Sequence, residues 1–164
     1  MWSQAPARQR KRGIRGRGVA WPAEPMDDLR QSLQPLYLDA VYEVDVPGGR
    51  IAFRIGEAIP RLAGQAFALI TAYNPGACRP SPAENERRNA ALERRLAEAG
   101  HKVLPGRGRD VSGDHVESSF AAFGVTLGAA LAIAREFGQA AIAWFDGTVV
   151  KLEWAGEAGG GAAP

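Results

Sequence analysis

The chain has 164 residues, of which 46% are apolar and 23% charged, enough for one globular domain with a sizeable core and too few for two. Its single cysteine, Cys78, excludes an intrachain disulfide, and that cysteine and the two histidines show no zinc-ligand spacing. The net charge of +2 is unevenly placed: residues 1–25 carry six basic side chains and one acid, the remainder fourteen basic and seventeen acidic, which argues against a broad basic nucleic-acid face on the domain.

Residues 1–25 lack an apolar period and the apolar core of a secretory signal. They read as a disordered basic arm, the one part of the chain suited to nucleic acid, or as upstream sequence with Met26 as the true start. No apolar run approaches the ~20 residues of a membrane span. The expectation is a cytoplasmic protein with no membrane partner, no metal and no cofactor; composition leaves the oligomeric state open.

From Met26 the pattern becomes regular. Asp27 to Gln34 suit a short helix stopped by Pro35. Tyr42, Val44 and Val46 alternate with acids, and after Pro47-Gly48-Gly49 so do Ile51, Phe53 and Ile55 with Ala52 and Arg54, a hairpin with one wet face. The run from Ala66 to Ala72 is apolar on both faces, as a central strand covered on both sides requires. Ser81, Pro82 and Glu84 form a helix start with N-cap, N1 proline and capping box, and Gly100 is the stop.

Residues 101–104 read as a strand and "PGRGRDVSGD" as a glycine-rich loop, without the Walker lysine or the dinucleotide spacing. "VESSFAAFG" is a further strand. Thr126 caps a helix through Phe137, and Asp146-Gly147 joins two β-rich runs as a type I′ turn. Residues 155–164 read as a flexible tail. The order implies a single α+β domain over residues 26–154, a mixed, largely antiparallel sheet with two main helices packed on it.

On a helical wheel Asn85, Asn89, Leu92, Leu96 and Ala99 share one stripe. Its lower half is hydrocarbon and faces the sheet; its upper half is two amides, beside the strand end that carries Thr71 and Asn74. Amides on an inward stripe need partners. Either they tether the 74–81 loop, whose backbone groups need satisfying, or they read a ligand in the crevice between strand end and helix start.

"ITAYNP", then "ENERRN", then a strand with Glu117 and Ser119, then "FGQAAIAW" resembles the bacterial DUF3293 family, a domain of unknown function. The resemblance spans roughly residues 36–146. It rests on Thr71, Asn74, Pro75, Asn85, Asn89, Glu117, Ser119, Gly138 and Gln139; the family pattern often has an aromatic where this chain has His115-Val116. It implies a fold unit and no activity.

Three functions compete. In the first, a small polar ligand binds at the junction of strand 67–74 and helix 82–99, through Thr71, Asn74, Asn85, Asn89, Ser119 and Gln139. In the second, the same pocket is an active site with Glu117 as acid or base, His115 behind it; against this, Glu117 could simply pair with Arg107 or Arg109. In the third, the basic arm binds nucleic acid. Ser118 and Ser119 lack a nucleophile elbow, and Cys78 lacks a local histidine.

Overall fold

A computed structural model describes residues 26–156. The basic arm of residues 1–25 and the tail from 157 onward lie outside the described residues. Three helices and seven strands follow in the order α1 (Met26–Asp39), β1 (Val41–Val46), β2 (Gly49–Phe53), β3 (Phe67–Ile70), α2 (Pro82–Glu98), β4 (Lys102–Arg109), β5 (Val116–Phe123), α3 (Leu127–Glu136), β6 (Ala141–Phe145) and β7 (Val150–Trp154). They form one sheet, β2-β1-β4-β5-β3-β6-β7, in a single α+β domain. Every neighbouring pair is antiparallel, so the parallel component expected from a mixed sheet is absent among the described residues.

The central strand is where the apolar run placed it. All four β3 residues are buried, and β3 pairs with β5 on one side and β6 on the other. Ala68 and Ile70 face α2 and α3, packing with Leu92, Leu96, Ile133 and Trp144. Phe67 and Leu69 face the opposite way, into a second cluster with Val44, Phe53, Phe123, Phe145 and Val150.

The second cluster shows that the sheet curls. Three strands separate β2 from β3 in the sheet, yet the Phe53 and Phe67 rings lie 5.9 Å apart. The two edges also approach each other: after β2, Gly56 N–H donates to Val150 O (2.8 Å) and Val150 N–H to Glu57 O (2.9 Å). The aromatic cluster fills the concave face, and α2 and α3 cover the convex one.

Four local expectations are corrected by tertiary context. The first helix runs through Pro35 to Asp39. Proline removes one helical hydrogen bond, but Gln31 and Pro35 are solvent-exposed, so water can satisfy the freed carbonyl, while Tyr37 docks edge-on against Trp154 (5.8 Å). It is a third main helix. "PGRGR" belongs to β4 and is not a loop. A Cβ on Gly106 would meet Leu69 Cδ1 at 2.6 Å and the Glu43 carbonyl at 2.7 Å, so that glycine is required by close strand packing.

The β6–β7 connection is four residues, 146–149, with Phe145 paired to Val150. Asp146 accepts from both Thr148 and Val149 N–H at 2.9 Å, an Asx-type turn in place of the two-residue one. Ala155, read as tail, is fully buried and donates its N–H to Ala140 O at 2.8 Å.

The N-cap predictions hold, but the capping box is only half formed, because the Glu84 carboxylate pairs with Arg87 and does not reach back to Ser81 N–H. Ser81 Oγ accepts from Glu84 N–H (3.2 Å) and Thr126 Oγ1 from Ala129 N–H (3.2 Å). Gly100 and Gly138 end their helices at φ +79° and +74°.

Candidate functional site

The curled sheet has an open mouth, and α1 lies across it. The mouth is a cleft of about 670 Å³, walled by Leu29, Leu33 and Leu36 of α1, by Val111 on the β4–β5 loop, and by Tyr37, Tyr42 and Tyr73. Glu117 enters it through strand register. Glu117, Ser119, Ala121 and Phe123 alternate onto one face of β5, and Phe123 belongs to the concave cluster. Glu117 is therefore the outermost residue of the concave row. Its neighbour across β4 is Gly108, which in turn lies opposite Tyr42; with no side chain at 108, the space between carboxylate and ring stays open.

The amides of the inward stripe are tethers, and their bonds have a fixed direction. Asn89 Oδ1 accepts from Ala72 N–H at 3.1 Å. Asn85 Oδ1 accepts from Asn74 N–H at 3.0 Å, so its Nδ2 is the donor to Asn74 Oδ1, also 3.0 Å. Asn74 must then present Nδ2 outward, and it donates to Glu117 Oε1 at 2.5 Å. A backbone N–H thus orients two amides in series, and the last donor meets a carboxylate. Asn74 is left-handed (φ 48°), the only non-glycine with positive φ among the described residues, a conformation asparagine tolerates better than other side chains.

Of the residues expected to make the pocket, Asn74, Glu117 and Gln139 line the cleft, and Thr71, Asn85, Asn89 and Ser119 do not. Thr71 Oγ1 donates to Ser118 O (2.7 Å) and accepts from Tyr73 N–H (3.1 Å), closing the end of β3. Ser119 is buried behind Glu117, its hydroxyl 3.4 Å from the Glu117 carbonyl. Gln139, also buried, donates Nε2 to Tyr73 O at 2.8 Å. Asn85 and Asn89 shape the site from behind.

Glu117 does not pair with Arg107 or Arg109. Those arginines point to the opposite face of β4, where both hold Glu43: Arg109 Nε at 3.0 Å, and Arg107 Nε in a shorter contact. Burial raises the Glu43 carboxyl, but the two guanidiniums outweigh it and hold it below the usual carboxylate range. The partner of Glu117 is His115, with Nε2 at 3.1 Å from Oε1. Asp110 Oδ1 accepts from Gly113 N–H at 2.7 Å and so shapes the loop that carries His115.

Sequence reading also missed Arg88. Its Nε donates to Ala72 O (3.1 Å) and its Nη2 to Phe137 O (2.8 Å), joining the end of β3 to the C-terminal end of α3. Its place beside Asn85 and Asn89 on α2 was the available signal. The α1 wall escaped for a different reason: nothing in residues 26–40 marks them as lining a site, because only the curl of the sheet brings them there.

Residues 70–142 match a family described as protein of unknown function, DUF3293. Over that stretch, less than half of its length, the chain is similar to DUF3293 proteins. No curated protein and no solved structure matches it. The matched segment supplies the asparagine tethers, Glu117, His115 and Gln139; α1 and Tyr42, the other wall of the cleft, precede it. The match begins later than the resemblance at roughly residue 36, and β1 and β2 fall outside it.

Among the described residues no group of three or more histidine, cysteine, aspartate or glutamate side chains could hold a metal. No described helix is long and apolar enough to cross a membrane.

Proposed function

We propose that this protein binds a small molecule in the mouth of its curled sheet, with Glu117 as the polar anchor. One observation carries the reading: a carboxylate held by Asn74 and His115 stands in a largely apolar cleft of about 670 Å³. That volume lies in the range of small-molecule sites, which combine apolar walls with a few oriented polar groups. Asn74 and Gln139 complete the polar lining; Thr71, Asn85, Asn89 and Ser119 hold the loop and strand ends that carry it.

A metabolite-library thermal-shift screen on the full chain tests this, since a ligand that binds only the folded state raises the melting temperature by mass action. Hits should lose most of their shift in Glu117→Gln. Hits that shift the variant as much as the wild type would remove Glu117 from the site.

The His115–Glu117 contact favours a second reading, in which the pair moves a proton on a bound substrate. Incubating each hit with the protein and analysing products by mass spectrometry tests it: conversion should require both Glu117 and His115.

A further inference from the structure

Resting on the reading of the cleft as a small-molecule site, we propose that its ligand is an organic cation: a single ammonium group on an apolar body. The free end of Glu117 makes the first argument. Oε1 is occupied by Asn74 Nδ2 and His115 Nε2, and among the described residues Oε2 has no partner. One open oxygen suits one N⁺–H donor. A guanidinium or amidine fork needs both oxygens side by side, and one of them is taken.

The charge around the cleft makes the second. Three carboxylates line it, Asp39, Asp110 and Glu117. Of the two arginines that also contribute to its wall, Arg109 is engaged by Glu43 on the outer face of the sheet. Arg79 remains, on an exposed rim. An anionic ligand would meet net negative charge, and an ammonium is drawn in.

The walls make the third. Aromatic and aliphatic side chains bury an apolar body, and aromatic rings tolerate a nearby cation. The Tyr37 phenol adds no competing charge: burial, with the negative charge of Glu117 contributing, pushes it up to about 12.

Calorimetric titration of the full chain with phenethylamine, phenethyl alcohol and phenylacetate tests the assignment. The amine should bind about tenfold or more tighter than the alcohol, and phenylacetate weakest, because a charged hydrogen bond is worth at least that factor. Glu117→Gln should bring the amine down to the level of the alcohol. That variant keeps the carbonyl that accepts from Asn74, and its melting temperature checks the fold. Leu36→Arg, at a wall position 67% exposed, adds a like charge at the rim and should weaken the amine more than the alcohol.

Equal binding of amine and alcohol, preference for phenylacetate, an amine affinity unchanged in both variants, or no binding of the amine overturns the assignment. The two proposals fail separately. A neutral or anionic library hit that depends on Glu117 ends the ammonium assignment and leaves the cleft site standing. Amine binding that ignores both variants ends the assignment, and only a library without a Glu117-dependent hit ends the cleft reading.

Discussion

Replacing Asn85 separates two accounts of the α2 stripe. If the position only faces the core, leucine should fit it and add apolar burial. If the amide is a tether, both Asn85→Leu and Asn85→Ala lose two hydrogen bonds of 3.0 Å and leave the Asn74 N–H without a partner. A net ~1 kcal/mol per bond, plus ~1 kcal/mol for the orphaned donor, gives about 3 kcal/mol. Asn74 is only partly buried, so water recovers some of this, and alanine regains about 0.6 kcal/mol of helix propensity. The expected loss is about 2 kcal/mol for either variant, or roughly 8 °C in melting temperature for a domain of this size. Urea and thermal unfolding followed by circular dichroism measure it. An Asn85→Leu variant as stable as the wild type would refute the tether and return the stripe to ordinary core packing.

Gly106→Ala forces a Cβ against Leu69 and the Glu43 carbonyl, and overpacking at backbone contacts should cost about 3 kcal/mol; Gly128→Ala, with open space around it on α3, should instead gain about 0.5–1 kcal/mol, and denaturant midpoints of the pair decide it. The Glu43 carboxyl is held below its ordinary 4.5 in the fold, so its contribution is present above that value and lost as pH falls through the lower folded value. Urea midpoints measured while acidifying should therefore fall less steeply in Glu43→Gln than in the wild type. Tyr37 should ionise near pH 12 because burial, then the charge of Glu117, opposes the phenolate; ultraviolet titration should show its transition move to lower pH in Glu117→Gln, and an unmoved transition would separate the two groups.

Much of the scaffold is legible in the chain because its signals are local. The Ser81 and Thr126 caps, the helix-ending glycines and the β1–β2 hairpin rest on residues within a few positions of each other. The buried β3 strand follows from an apolar run with no wet face. The asparagines at 85 and 89 stood out for a sound reason, since amides on an inward stripe need partners, but the stripe does not say which. Their choice between loop and ligand depends on where β3 ends relative to the first turns of α2, a tertiary distance.

The remaining errors have the same origin. Pro35 should stop a helix, and the docking of Tyr37 on Trp154 overrides it. "PGRGR" has the composition of a loop, and it is a strand because its glycines let Leu69 and Tyr42 approach. Arg107 and Arg109 are close to Glu117 in sequence, but alternation of strand faces and the pairing of β1 with β4 deliver them to Glu43.

By itself the sequence determined the class of fold, the caps, most strands, and which polar residues would need explaining, because propensity, periodicity and turn chemistry act over a few residues. Only the tertiary structure decided that α1, Tyr42, Asn74, Glu117 and Gln139 share one cleft. They come together because the sheet curls until its edges meet, and that curvature depends on pairings and packing between residues far apart in the chain.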